Sequence, residues 1–175
     1  MTASGPYTES LNFRQMFQMG DLRGPLPQLA SCSKSLTGII ENHPDFTKFK
    51  HILSLADLGG IYDDIQADFT LFVPSDAAIA GLPEGVLTNM DMSTARHIVR
   101  SSTLRRRMSG DILEQSPASW FTTLDPPNRL WITNISGQTY VNNDVKVIHK
   151  DMTANNGLIH VVDAILWPNM SVEHQ

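Results

Sequence analysis

The chain of 175 residues has a single cysteine, little charge and no apolar run long enough to cross a bilayer. Because Cys32 is alone, a disulfide within the chain is excluded. Charged residues make up 18% of the sequence, and the net charge of −5 argues against nucleic acid as a partner. The 41% content of hydrophobic residues is instead typical of a globular domain with a full core.

Motifs for catalysis and for cofactor binding are also missing. There is no G-x-S-x-G nucleophile motif and no glycine-rich phosphate loop followed by Lys-Ser or Lys-Thr. The six histidines include no pair at the i, i+4 spacing of a helical metal site. His149 and Asp151 could supply two metal ligands, but no third candidate accompanies them. The sequence therefore predicts no enzymatic activity, no cofactor and no metal.

The N-terminal part lies outside the patterns that organise the rest of the chain. It lacks the basic start and the apolar segment of an export signal, which favours an intracellular or virion location over an extracellular one. Within residues 1–34, helical spacing relates the apolar side chains Leu11, Phe13, Met16 and Phe17. We expect a helix packed on its own domain, an arm that docks on a partner or a second subunit, or a disordered tail.

Helical periodicity dominates the first half of the remaining chain, and short strands dominate the second half. Ser35 is expected to cap a short helix. A second helix is expected to begin at Pro44 and to end at Gly59-Gly60, and a third to be capped by Ser93 and to continue toward Leu104. Four strands are expected over residues 120–124, 130–134, 139–141 and 145–150. This order predicts an α+β domain.

An apolar run begins at Asn156-Gly157 and ends at Pro168. An Asn-Gly pair favours a turn, and the β-branched residues that follow are typical of a strand buried on both faces. His160 and Asp163 interrupt the run, and a buried polar side chain needs a hydrogen-bonding partner. We expect His160 to satisfy buried backbone groups and Asp163 to act as a buried latch or a turn residue.

A second motif runs from Asp68 to Ile79. It combines a short apolar strand, stopped by Pro74, with Ser75 or Asp76 placed to cap a following helix. Together the two segments resemble the two sequence boxes of the fasciclin domain family. The matching residues are Thr70, Phe72, Pro74, Ser75 and Asp76 in the first box, and Asn156, Gly157, His160, Asp163 and Pro168 in the second.

The resemblance covers residues 35–170 and leaves a short tail, residues 171–175. It implies a strongly bent β-sandwich or wedge flanked by several helices. It also implies a role in binding and adhesion, since most fasciclin domains belong to secreted or surface-anchored proteins. Many members carry a Tyr-His pair that is associated with integrin recognition, and this chain has Ser101-Ser102 in its place.

A basic group lies between the two boxes. On a helical wheel Arg96, Arg100 and Arg107 fall within about 40° of one another, and Arg105 and Arg106 adjoin them. If one helix carried all five, they would form a cationic stripe on an acidic protein. The stripe would be a solvated face with ion pairs, a docking surface for an acidic protein, or a contact for a polyanion.

These patterns predict a non-catalytic module for protein–protein interaction. The first interpretation is a structural or assembly component, such as a minor capsid or cement protein of a large virus. It would dock through the arm residues Phe13, Met16 and Phe17 and through the cationic helix face. The alternative is a secreted or cell-surface adhesion protein of the fasciclin type. A small enzyme or ligand carrier with a pocket near His160 is a second alternative. The expected partners are other proteins, and oligomerisation stays open.

Overall fold

The computed structural model describes residues 34–169, which form an α+β fold around one seven-stranded mixed sheet. The helices of this part are α1 (Leu36–Asn42), α2 (Thr47–Ala56), α3 (Gly59–Tyr62), α4 (Asp76–Ala80), α5 (Met92–Ser101) and α6 (Gly110–Gln115). The strands are β1 (Phe69–Pro74), β2 (Thr103–Leu104), β3 (Ser119–Thr122), β4 (Arg129–Ile135), β5 (Gln138–Val141), β6 (Val145–Ala154) and β7 (Gly157–Val162). The predicted arm residues Phe13, Met16 and Phe17 and the predicted tail lie outside the described residues.

The order of the strands in the sheet is β2-β1-β7-β6-β5-β4-β3. Strands β1 and β7 run parallel, and every other pair is antiparallel. A bridge between Leu104 and Thr123 brings the two ends of the sheet together, so that it nearly closes into a wedge. The fold that the resemblance implied is confirmed. Because Phe72 of β1 lies opposite His160 of β7, the two sequence boxes stand side by side at the centre.

Two apolar cores lie on the opposite faces of β1 and β7. Leu71 and Val73 pack against α2 and α5, whereas Phe72 points into the wedge formed by the other strands. This alternation is what a strand buried on both faces requires, because successive side chains point to opposite sides. The prediction of such a strand over the second box holds for β7, of which every residue is buried.

Three boundaries of α2 and α5 differ from the sequence-based prediction. The cap of α5 is Asp91, whose Oδ1 accepts a hydrogen bond from the Thr94 N–H at 2.8 Å, and Ser93 lies inside the helix. Helix α2 begins at Thr47 and not at Pro44. Asp57, with a φ of 57°, ends α2 in the left-handed conformation, so Gly59 is free to begin α3.

The helices of residues 34–169 are short, and the longest two have ten residues each. In this described part, none combines the length and the apolar character that a membrane crossing would need.

Candidate functional site

His160 lies in the middle of β7 with no solvent exposure. Its Nδ1 accepts a hydrogen bond from the Asp151 N–H at 3.1 Å, so the proton sits on Nε2, which donates to the Met108 carbonyl at 2.7 Å. The ring also packs against Phe72, with the ring centroids 5.5 Å apart. Burial lowers the pKa of His160, which keeps the ring neutral. With both nitrogens bonded and no exposed surface, the side chain links structural elements and offers nothing to a substrate.

Asn156 performs a similar task at the turn between β6 and β7. Its Oδ1 accepts a hydrogen bond from the Leu36 N–H at 2.9 Å, at the start of α1. Its Nδ2 donates to the carbonyls of Tyr62 and Asp64 at 2.9 and 3.0 Å. One fully buried amide therefore joins the turn to α1 and to the end of α3.

Thr70 and Gly157 secure the segments on either side of β1. The Thr70 hydroxyl donates to the Arg106 carbonyl at 2.6 Å and accepts from the Met108 N–H at 2.7 Å. A Cβ at Gly157 would lie 2.3 Å from the Phe69 carbonyl oxygen, closer than any side chain can approach. Glycine is therefore required at this position by the packing of β7 against β1.

The two capping candidates serve two different helices. Ser75 caps α4, since its Oγ accepts from the Ala78 N–H at 3.1 Å. Asp76 caps α2 instead, by accepting from the Thr47 hydroxyl at 2.6 Å and from the Lys48 N–H at 2.8 Å. Desolvation acts to raise the pKa of Asp76, but these hydrogen bonds outweigh it and the pKa is lowered. The cap on the following helix is therefore Ser75 alone.

Asp163 is exposed, so the alternative of a buried latch was wrong. Its Oδ1 accepts from the Lys146 N–H at 2.8 Å, and its own N–H donates to the Lys146 carbonyl at 3.1 Å. These bonds tie the end of β7 to the start of β6. Pro74 is the last residue of β1, whereas Pro168 lies in the irregular segment that follows the end of β7 at Val162.

The five arginines do not share one helix face, and the prediction of a cationic stripe was wrong. Helix α5 ends at Ser101, because the chain turns there to form β2 against β1. Arg96 and Arg100 are half-buried, and their Nε atoms donate to the carbonyls of Ala56 at 2.7 Å and Leu124 at 3.4 Å. Both therefore hold the ends of neighbouring segments.

The remaining three arginines lie in the exposed segment after β2. Arg107 forms an ion pair with Asp68 at 2.8 Å. Arg105 and Arg106 make no ion pair within residues 34–169, and the Arg106 guanidinium stands 5.9 Å from the centroid of the Phe121 ring. Within residues 34–169, Arg105 and Arg106 are therefore the two of these five arginines whose side chains form neither an ion pair nor a hydrogen bond.

Arg105 and Arg106 border the place where the two ends of the sheet approach each other without full pairing. We call this place the arginine seam, a cleft of about 230 Å³ lined by Leu104, Arg105, Arg106, Trp120, Phe121 and Thr122. Trp120 projects from the edge strand β3 with 53% of its surface exposed, while Phe121 points into the core. Trp120 was not among the predicted site residues, although period-two alternation in a strand could have placed it on the outer face.

Residues that could hold a metal do not gather in the described part of the chain. No group of three or more His, Cys, Asp or Glu side chains is placed for this. His149 and Asp151 are separated by an irregularity in the pairing of β6, where Asp151 has a φ of 65°.

Comparison with known proteins relates most of the described residues to one family. A family model of the fasciclin domain matches residues 44–168. Stabilin-1 of Homo sapiens is 33% identical over 100 residues, which are 57% of this chain and 4% of stabilin-1. Periostin of Homo sapiens is 27% identical over 146 residues, which are 81% of this chain and 17% of periostin. An uncharacterized protein of Synechocystis is 25% identical over 144 residues, 75% of this chain and 98% of that protein.

A solved structure shares the fold. It is a FAS1 domain pair from the insect cell adhesion molecule fasciclin I, with a TM-score of 0.67 and 18% identity over 79% of this chain and 52% of that one. The chain thus spans a small part of stabilin-1 and periostin and about half of the domain pair. Since the family match covers most of the sequence and includes both boxes, the chain belongs to the fasciclin domain family.

Proposed function

We propose that this chain is a non-catalytic adhesion module that binds another protein at the cell surface or in the extracellular space. Membership of the fasciclin family supports this role, because fasciclin I is described as a cell adhesion molecule. None of the relatives named above is a virus protein, so a capsid or cement role is without support among them. The adhesion alternative of the sequence analysis therefore replaces the assembly component as the preferred function.

The arginine seam is the proposed contact surface. The observation that carries this proposal is that Arg105 and Arg106 are exposed and make no ion pair in the described part of the chain. A guanidinium binds a carboxylate through two parallel hydrogen bonds, which favours an acidic patch on the partner. Trp120 lies beside both cations, and Trp and Arg are the residue types that contribute most to protein interfaces.

The environment of the candidate acid–base residues supports binding over catalysis. His160 is buried with both nitrogens bonded, and Asp76 is occupied as the cap of α2. Neither side chain has a free functional atom that faces a cleft. A ligand pocket at His160 would require the ring to leave its place between β6 and the segment at Met108.

The experiment compares two double variants with the same change in net charge. Arg105→Gln/Arg106→Gln removes the cations of the seam, and Lys50→Gln/Lys146→Gln removes two exposed cations elsewhere. The full chain and both variants are coated on beads, and attachment of the beads to cultured animal cells is counted. We expect the wild type and the lysine variant to attach, and the arginine variant to lose attachment at least about fivefold.

Two results would overturn parts of this proposal. Equal attachment of both double variants would show that the seam is not the contact surface. If wild-type beads attach no better than beads coated with albumin, the adhesion role itself fails.

A further inference from the structure

All three tryptophans of the chain line one groove. This groove, which we call the tryptophan groove, has a volume of about 410 Å³ and lies where β3, β4 and the segment after β7 meet. Trp120 and Trp167 are 53% and 47% exposed, and Trp131 is half-buried. Burial of an indole side chain removes a large apolar area from water. Two exposed indoles in one concave surface therefore indicate a binding site.

Contacts within the protein fix the positions of Trp120 and Trp131. The rings of Trp120 and Trp131 stand 5.2 Å apart at an angle of 54°, and the Arg129 guanidinium lies 4.7 Å from the centroid of the Trp120 ring. The backbone of Trp131 is fixed by Asn142, which accepts its N–H at 3.0 Å and donates to its carbonyl at 2.7 Å. A preorganised site loses less conformational entropy when it binds.

The polar groups of the groove are one cation and several neutral amides. Among the described residues that line the groove, Arg129 is the only charged one, and none carries a carboxylate. The Asn142 and Asn143 side chains add amide groups, which both donate and accept hydrogen bonds. The groove therefore combines flat apolar faces, neutral amides and one cation.

We propose that the tryptophan groove binds a short acidic saccharide that contains uronic acid units. A pyranose ring has one face of C–H bonds, which packs on the electron-rich face of an indole. Its hydroxyl groups can exchange hydrogen bonds with the amides, and its carboxylate can pair with Arg129. The volume lies within the range of small-ligand sites, whereas a protein interface covers a much larger patch.

Saccharide binding in the groove can be tested separately from the proposed adhesion contact. Trp120 borders both surfaces, but Arg129, Trp131 and Trp167 do not line the arginine seam. Adhesion through the seam and saccharide binding in the groove can therefore succeed or fail separately.

Intrinsic tryptophan fluorescence is a direct assay, because the chain has no tryptophan outside the groove. The full chain is titrated with trigalacturonic acid and, as a matched neutral probe, with its methyl ester. An acidic proline-rich peptide tests the competing peptide ligand. We expect a saturable change with trigalacturonic acid, binding of the methyl ester weaker by about tenfold or more, and no saturation with the peptide.

Substitutions separate the contributions of charge and stacking. Arg129→Gln should weaken binding of the acid about tenfold and leave the methyl ester unchanged, while Arg106→Gln, outside the groove, should alter neither. Trp167→Ala should weaken both saccharides, and unfolding curves check that each exposed-site variant is folded. The proposal is overturned if trigalacturonic acid gives no saturable change, if Arg129→Gln binds the acid like the wild type, or if the peptide binds more tightly.

Discussion

Replacing His160 with alanine tests whether this fully buried polar residue of the second box links neighbouring elements of the structure. The change removes the acceptor of the Asp151 N–H and the donor to the Met108 carbonyl. It also leaves a cavity where the imidazole packed against Phe72. The structure that surrounds the site would lose contacts between β6, β7 and the segment before α6.

The magnitude follows from the burial of these partners. The Met108 carbonyl is buried and keeps no donor, whereas the Asp151 N–H is only partly buried and can find water. An unsatisfied buried group costs about 1–3 kcal/mol, and the cavity adds to that cost. We expect His160→Ala to lower the free energy of unfolding by about 2–4 kcal/mol, a large share of the usual 5–15 kcal/mol.

The assay is urea unfolding at pH 7.5 and 5.5, with His149→Ala as the control. His149 is exposed on β6, so its replacement should change the free energy of unfolding by less than about 0.5 kcal/mol.

The pH dependence of the free energy of unfolding gives a second test of the role of His160. Burial lowers the pKa of His160 in the folded state, so below about pH 6.5 the unfolded chain takes up a proton that the folded chain resists.

Wild-type stability should therefore fall with pH below about 6.5, with a slope from this residue of at most about 1.4 kcal/mol per pH unit. His160→Ala lacks this contribution, and titrations shared by both proteins cancel in the comparison. Unfolding free energies equal to within about 0.5 kcal/mol at pH 7.5, or the same pH slope in both proteins, would refute the reasoning.

Two further substitutions probe the turn between β6 and β7 by thermal and urea unfolding. Gly157→Ala should destabilise by about 1–3 kcal/mol or more, because its Cβ would meet the Phe69 carbonyl at 2.3 Å. Gly59→Ala, where a Cβ meets nothing within 4 Å, is its control, and equal melting temperatures for the two would contradict the packing argument. Asn156→Ala should lower the free energy of unfolding by about 3 kcal/mol, because three hydrogen bonds are lost. Asn89 is exposed, so Asn89→Ala should have little effect and is the control. An unchanged free energy of unfolding in Asn156→Ala would show that the buried amide is dispensable.

The parts of the fold that were predictable depend on short-range patterns. Alternating and β-branched residues located the strands, and the two boxes identified the family and its wedge. The caps at Ser35 and Ser75 could also be inferred, since each bonds to an N–H three residues away. The second box was correctly assigned as a strand buried on both faces.

Two of the mistakes arose from contacts between segments that are far apart along the chain. Periodicity let α5 continue through the arginines, but the N–H of Phe72 on β1 bonds to the carbonyl of Ser102 and the chain turns into β2. Asp76 was expected to act locally, yet it caps α2, whose Thr47 precedes it by 29 positions. No local pattern contains such a contact.

The sequence by itself therefore determined the α+β class, the fasciclin boxes and the residues that must be buried, because hydrophobic periodicity and turn chemistry act within a few positions. Only the tertiary structure decided which of the five arginines bond to other segments within residues 34–169 and which tryptophans lie side by side. Arg96, Arg100 and Arg107 bond to partners far along the chain. Trp120 lies opposite Trp131 in the pairing of β3 with β4, and the segment after β7 adds Trp167 to the same groove. The surface available to a partner depends on these contacts. Strand register and the positions where helices end determine them, and both depend on residues outside the local sequence.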